Sequence, residues 1–537
     1  MTTTKEFENK VKELIDDLKS VCANYGLGND GNEFKIITQV FLYKFLNDKF
    51  AYEVKKIEPK LANDDNWQET LSNYKKDDYE MLLMQLSEGT AQIQPNHFIA
   101  SLFHKQNEAD FAKLFDDTLL DIAKLNTEVF SVKEDAGAKV ILFDRVSEYV
   151  TISKRDAFCK AIINKLINFS FERIFNEKYD FYATIFEYLI SDYNKDSGGK
   201  YAEYFTPHAV AKIMAACLVT DNVSNVTCYD PSAGSGTLLM NLAHAIGEDK
   251  CTIYSQDISQ KSSSLLRLNL ILNNLVHSIQ NIIQGNTILN PYHKQDKFDY
   301  IVSNPPFKLD FSDYSADLDT KANNERFFAG IPKIPKTKKD SMAIYLLFLQ
   351  HIMHSLTAKG KAAIVVPTGF ITAQSGIDKK IRKKMVDSKM LTGVVSMPSN
   401  IFATTGANVS ILFLDVNNTE DVVLIDASNL GTKLKDSNGN QKTLLAETEE
   451  QQIIDVFNTK EIKEDFSVVV SYDDIKAKNY SLSAGQYFEI KIEYTDITDE
   501  EFKAKVKGFE SNLSSLFSES KTLEKEIKEN LKSLNYE

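Results

Sequence analysis

Between residues 226 and 414, short β-rich segments take turns with helical stretches, and this alternation constrains the fold more than any other feature of the chain. The β-rich segments are 226–229, 252–255, 281–283, 300–303, 362–366, 394–397 and 409–414. Strands separated by helix-length stretches cannot pair as tight hairpins. They pair in parallel, and each crossover lays a helix on one face of the sheet. An α/β region with helices on both faces of a parallel sheet is therefore expected.

The flanks read differently. Phe7, Val11, Leu14, Ile15, Leu18, Val21 and Cys22 recur at helical spacing, as do Phe34, Ile37, Phe41 and Phe45. Amphipathic segments of this kind continue to about Leu189, and Gly198-Gly199 marks a break before the alternation begins. After Asp415 the signal weakens, and residues 430–441 read as a polar, turn-rich hairpin or loop. Val506, Phe509, Leu513, Leu516, Leu523, Ile527 and Leu534 then form a heptad seam, interrupted by Ser520 and Asn530. The seam fits a helix packed on its own chain or a coiled coil with a partner. With 537 residues the chain exceeds one ordinary core. It is expected to divide into a helical domain (1–160), an α/β domain (161–480) and a helical tail (481–537).

Composition excludes several classes. The N-terminus is polar and the longest apolar run, 342–349, is too short for a membrane span, so a cytoplasmic protein without a membrane partner is expected. Cys22, Cys159, Cys217, Cys228 and Cys251 show no CxxC spacing and the eight histidines no HExxH, so no metal site is expected. His351 and His354 read as satisfied helix residues.

The first chemical motif is Asp230-Pro231-Ser232-Ala233-Gly234-Ser235-Gly236-Thr237, between a strand and the helical run 238–246. Its glycines let the backbone approach a ligand at the sheet's carboxyl edge. A dinucleotide fingerprint would place a third glycine at 239, where Leu239 stands, so a nicotinamide or flavin cofactor is disfavoured. One βαβ unit later Asp257 ends the next strand, where a carboxylate can accept both hydroxyls of a ribose. Its competing reading is a helix N-cap.

The decisive motif is Asn304-Pro305-Pro306-Phe307. Asn-Pro alone marks a turn; here it closes a strand on the same edge as the glycine turn and Asp257. An exocyclic aromatic amine is a poor nucleophile because its lone pair is delocalised into the ring. Two acceptors, the Asn304 side-chain oxygen and the Pro305 carbonyl, would draw its nitrogen toward tetrahedral geometry and stabilise the growing positive charge. The prolines fix the backbone, and Phe307 offers a face for a flipped base.

With these motifs in this order the chain resembles the gamma-type amino-DNA methyltransferases, and over most of its length the modification subunits of type I restriction-modification systems. Residues 32–49 resemble their N-terminal helical domain, and 367–370, 396–398 and 401–402 their later sheet motifs. The resemblance implies a Rossmann-like S-adenosylmethionine-dependent sheet, an N-terminal α-helical domain and a C-terminal helical tail. It implies site-specific methylation of DNA adenine at N6, with S-adenosyl-L-methionine as cofactor. Glu203, Tyr204, Phe205, Thr206 and Pro207 look like the family's additional cofactor segment, and Asn286 like the residue that meets the cofactor's adenine. Cofactor contacts at Asp230, Ala233, Gly234, Ser235, Gly236, Thr237 and Asp257 follow in the same way. The sequence departs from the common pattern at Ala202-Glu203, where Gly-Gln is frequent, and at Asp257, where Glu is frequent.

The resemblance also implies partners. These are DNA, a specificity subunit that reads the sequence, and a restriction/translocase subunit, with two modification subunits per specificity subunit. A net charge of −14 fits a protein whose DNA is held largely by a partner. The tail is in that family a contact with the specificity subunit. Basic clusters at 333–339 and 379–384 are available for phosphates, the first following the Asn-Pro-Pro-Phe loop. Competing readings are a solitary DNA adenine methyltransferase, a protein-glutamine or RNA amino methyltransferase, and a non-catalytic cofactor-binding assembly subunit.

Overall fold

The computed structural model describes residues 2–28, 31–64, 66–87, 89–134, 137–172, 175, 185, 188, 206–402, 408–435, 441–488 and 497–533. The chain divides into two compact units, Met1–Tyr487 and Phe488–Glu537.

In chain order the strands are β1 (Val132–Glu134), β2 (Lys139–Val140), β3 (Val226–Asp230), β4 (Cys251–Asp257), β5 (Ile282–Gln284), β6 (Phe298–Ser303) and β7 (Leu356–Pro367). They continue as β8 (Leu391–Ser396), β9 (Val409–Asp415), β10 (Val422–Asp426), β11 (Thr432–Lys435), β12 (Gln441–Leu444) and β13 (Ser467–Val470). Eleven of them form one sheet in the order β13-β10-β8-β9-β7-β6-β3-β4-β5-β1-β2. All seven β-rich segments read from the sequence are strands of it.

The sheet is parallel through β1, β5, β4, β3, β6 and β7, but β9 runs antiparallel between β7 and β8. This departs from the all-parallel expectation. Ile411, Leu412, Phe413 and Leu414 of β9 are all buried. A strand covered on both faces reads as a continuous apolar run whichever way it points, so its direction leaves no mark in the sequence.

Connections after β3 proceed outward through β4 to β5, whereas β6 returns to the other side of β3. The reversal opens a crevice at the carboxyl ends of β3 and β6, where doubly wound sheets bind their ligands. The helices Thr237–Ile246 and Gln260–Leu272 pack on the β3–β5 side, and Tyr345–Ser355 and His208–Leu218 pack against β7.

Before β3 the described residues are mostly helical, as expected, with β1 and β2 as the interruption, and the central helix is Gly31–Ile57. This helix is buried on nearly every face, from Phe34 through Val40, Phe41 and Phe45 to Phe50 and Val54. Its polar residues must therefore find partners inside. Lys44 Nζ lies 2.9 Å from Asp48 Oδ1, with side chains 6% and 5% exposed. Asp48 also accepts from the Phe171 amide at 2.8 Å, and Asn47 from the Ile99 amide at 3.2 Å.

The helical region is not a separate layer, because β1 adds to the sheet beside β5 with Lys133 opposite Ile283. Arg267, buried on the helix Gln260–Leu272, holds the junction. Its Nη1 donates to the carbonyls of Phe130, Val140 and Ile141 at 3.3, 3.0 and 3.1 Å. Within the second unit Asp499–Ser533 is one helix, and its seam residues Phe509, Leu513, Leu516, Leu523 and Ile527 are exposed. No helix among the described residues is long and apolar enough to cross a membrane.

Candidate active site

Strand β3 delivers Asp230 to the crevice, and the glycine turn follows it directly. Gly234 and Gly236 take φ of +54° and +84°, and a Cβ on Gly236 would collide with the Leu266 side chain, so the turn requires glycine at 236. The Gly236 amide donates to the Ala233 carbonyl at 2.8 Å, and the helix Thr237–Ile246 starts at once. Ser235 Oγ and Thr237 Oγ1 lie 3.1 Å apart beneath the turn.

Asp230 is 1% exposed. Its Oδ1 accepts from the Ser232 amide and from Ser303 Oγ, both at 2.9 Å. Burial pushes its carboxyl up to about 7; the donors oppose the rise and the nearby Asp257 carboxylate adds to it. Ser303 directly precedes Asn304, so this bond fixes the end of β6 against the end of β3.

Asp257 closes β4 and binds the glycine turn itself. Its Oδ2 accepts from the Gly234 amide at 2.9 Å, and its Oδ1 from the Ser259 amide at 2.8 Å. Burial raises its carboxyl, against these two amides. The helix begins later, at Gln260, where Ser259 is the N-cap and accepts from the Ser262 amide. Asp257 is therefore not the cap that was its competing reading.

Asn286 shapes the loop after β5, its Oδ1 accepting from the Ile288 and Leu289 amides at 3.0 and 3.1 Å. Thr287 Oγ1 donates to the Pro231 carbonyl at 2.7 Å, joining this loop to the glycine turn. Beneath lies a buried network that sequence reasoning missed. Arg326 donates from Nη2 to the Thr287 carbonyl at 2.7 Å, from Nη1 to the Ile288 carbonyl at 2.8 Å, and from Nε to His351 Nδ1 at 3.0 Å. Arginine has no acceptor, so His351 Nδ1 is unprotonated and its Nε2 proton faces the Tyr229 hydroxyl, 3.2 Å away. Burial, with Arg326's charge, holds this imidazole well below its usual value and hence neutral. His351 is thus the satisfied core histidine that the sequence suggested.

Asn304 is half-buried at the mouth of the crevice, with Pro305 buried and Pro306 exposed. Its Nδ2 donates to Thr206 Oγ1 at 3.2 Å. The bond commits the nitrogen end of the amide and leaves Oδ1 as the acceptor. Phe307 meets Tyr345 edge-on, centroids 6.2 Å apart, and Tyr345 meets Phe370 in the same way at 6.1 Å. Tyr345 is held by a 2.7 Å bond to Asp378.

The structure thus brings Thr206, Asp230, Asp257, Asn286 and Asn304, with the glycine turn, to one edge. Pro207 caps the helix His208–Leu218 beside them. Glu203, Tyr204 and Phe205 lie outside the described residues. Ser303 had a faint sequence signal as the residue before Asn304, and Ser232 stood inside the glycine motif without a role assigned to it; Arg326 had no signal.

The donor set selects a kind of ligand. From Val226 to Asp249 there is no lysine or arginine, so the turn lacks the cation that phosphate sites use. Instead two carboxylates, Asp230 and Asp257, flank it. A cationic ligand bearing hydroxyls fits; a nucleotide phosphate does not. S-adenosylmethionine, with its sulfonium, ammonium and ribose, has that character.

Known proteins resemble the chain in sequence and in fold. The sequence model described as N-6 DNA Methylase matches residues 177–496. A type I restriction enzyme methylase subunit, MpnII, of Mycoplasma pneumoniae is 27% identical over 515 residues, covering 91% of this chain and 90% of that protein. The HindI methylase subunit of Haemophilus influenzae is 24% identical over 440 residues, covering 79% and 93%. A crystal structure of a type I restriction-modification methyltransferase subunit from Streptococcus thermophilus superposes with a TM-score of 0.71 at 22% identity. It covers 90% of this chain and all of that one, a likeness of fold.

Proposed function

The chain belongs to the N-6 DNA methylase family and is an adenine-specific DNA methyltransferase; from that premise we propose how it acts and with what. The cofactor is S-adenosyl-L-methionine, held by Thr206, Pro207, the turn Ala233–Thr237, Asp230, Asp257 and Asn286. When bound it supplies an electrophilic methyl on a cationic sulfur. Asp230 and Asp257 provide the negative charge and the hydroxyl acceptors for it. Glu203, Tyr204 and Phe205 complete the segment that leads to Thr206.

Asn304 and Pro305 do the catalytic work on the target base. The amino group of a flipped adenine donates one hydrogen to Asn304 Oδ1 and the other to the Pro305 carbonyl. With its lone pair drawn out of ring conjugation by these two acceptors, the nitrogen would be ready to take the methyl that the bound cofactor supplies, and the excess proton on nitrogen would pass to water afterwards. Pro306 keeps the loop stiff, and Phe307 stands beside the base. The observation that carries this reading is the Asn304–Thr206 bond, which fixes the amide with its oxygen free.

As modification subunit of a type I restriction-modification system, the chain joins a specificity subunit through the seam of the helix Asp499–Ser533. Two copies serve one specificity subunit, a restriction/translocase subunit completes the assembly, and the complex is cytoplasmic. Functionally, 1–160 is the helical domain, 161–480 the methyltransferase domain and 481–537 the partner-binding tail.

The test is transfer of labelled methyl from S-adenosylmethionine to DNA, with and without the specificity subunit, followed by identification of the modified base. N6-methyladenine only with the partner is expected. The same product from this chain alone would make it a solitary enzyme, and label on protein or RNA would overturn the assignment.

A further inference from the structure

The hairpin of β11 and β12 enters none of the chemistry above, yet it stands on the same edge as Asn304. It follows β10, which is parallel to β8; β8 and β7 both run antiparallel to β9, so β10, β8, β7 and β6 all end on one side. Along that edge β10 and β6 are four strand spacings apart, roughly 19 Å at the usual separation of about 4.8 Å. That is about five or six base pairs of a duplex.

Its root is fixed. The Gly431 amide donates to Glu449 Oε1 at 2.9 Å, the Thr443 amide to the Asn400 carbonyl at 3.0 Å, and Thr443 Oγ1 to the Ser399 carbonyl at 2.7 Å. Gly431 has φ of +86°, and a Cβ there would lie 2.5 Å from Thr443 Cγ2. Beyond the root it is largely open: Thr432, Lys433, Leu434, Lys435, Gln441 and Leu444 are exposed, and Lys442 is half-buried. Of its eight strand residues Thr443 alone is buried, at the root, and a two-stranded ribbon otherwise open to solvent gains little from its own packing.

Its chemistry opposes that of the whole. Residues 430–444 hold Lys433, Lys435 and Lys442 against one acid, Asp436, in a chain of net charge −14. Among the described residues none of the three lysines forms an ion pair. Register places Lys442 opposite Leu434, and Lys433 opposite the anchored Thr443, so lysines stand on both faces.

We propose that this hairpin is a second DNA contact, its lysines meeting backbone phosphates of the duplex that flanks the flipped adenine. The proposal rests on the methyltransferase reading and adds to it a place where this acidic subunit itself touches DNA. Such contacts position the duplex without reading its sequence.

The test uses the assembled complex with its specificity subunit, and wild-type methylation is measured first, so that failure of the methyltransferase reading shows by itself. DNA affinity is then followed across salt concentration for the wild type and for Lys433→Glu/Lys435→Glu/Lys442→Glu. Each phosphate contact contributes about 0.9 to the slope of log affinity against log salt. The variant should bind more weakly, with a slope shallower by about two to three, while cofactor affinity and subunit assembly stay unchanged. Acetylation of the wild-type complex provides an independent readout: Lys433 and Lys435 should be protected by bound DNA. An unchanged slope with unprotected lysines overturns the proposal. Loss of subunit assembly with an unchanged slope overturns it too, and makes the hairpin a protein contact.

Discussion

Two aspartates in this molecule are buried to similar depth and treated in opposite ways. Asp48, inside the helix Gly31–Ile57, has Lys44 at 2.9 Å, so its charge is cancelled where it stands. Asp230, at the end of β3, has only hydroxyl and amide donors, and burial with the Asp257 carboxylate pushes its carboxyl up to about 7. The scaffold completes its own electrostatics; the site leaves a carboxyl whose charged form has no cation from the chain, so its natural complement is a bound cation. Structural burial of charge and functional burial of charge are thus told apart by whether the partner belongs to the chain.

Breaking the scaffold pair gives the largest expected effect. Lys44→Met leaves Asp48 buried without its cation and should destabilise the protein by about 3–5 kcal/mol, seen as a lower unfolding midpoint in denaturant. An unchanged midpoint would dissolve the contrast. Asn304→Ala acts on the other side: methyl transfer should fall by about 10²–10³-fold, with cofactor affinity and unfolding midpoint both retained. Arg326→Met removes donors from two carbonyls under the glycine turn at a cost of about 1–3 kcal/mol. The apparent KM for S-adenosylmethionine should rise more than kcat falls, and an unmoved KM would make Arg326 scaffold only.

Smaller again is Thr206→Val, which frees the Asn304 amide to turn. It should lower kcat by about tenfold or less, on the order of one hydrogen bond, and a parallel loss in KM would point to cofactor contact alone. The last test is read in a slope. An aspartate whose folded pKa is raised binds its proton more tightly folded than unfolded. Its contribution is therefore best below the ordinary carboxyl range, declines as pH climbs toward 7, and then levels off. Asp230→Asn does not titrate, so its unfolding midpoint relative to wild type should improve from pH 5 to pH 8. A constant difference across that window would mean that Asp230 stays ionised.

The same contrast explains what could be read in the chain. Asp230, the glycine turn, Asp257 and Asn304 were legible because their residue types sit at strand ends one crossover apart. Ser303 and Arg326 were not: a serine beside a motif and an arginine 22 residues after Asn304 carry no periodicity, and only folding brings them under the site. β1, β2 and β13 are two to four residues long, too short for alternation to register. β10, Val-Val-Leu-Ile-Asp, lay where the signal was read as weakening, and β9 hid its direction. Residues 430–441 were read as a hairpin or loop, and β11 and β12 are that hairpin, although the chemistry of its lysines went unread.

One pairing bears on how the protein is made. Lys133 in β1 lies beside Ile283 in β5, about 150 residues later in the chain. A ribosome adding roughly 5–20 residues per second needs about 8–30 s to cover that interval. During that time the nascent helical region has an open strand edge, with Arg267 still to be synthesised. The first third of the molecule therefore matures only when its last sheet neighbour emerges, and slowed elongation between the two strands should lengthen its exposure to chaperones and proteases.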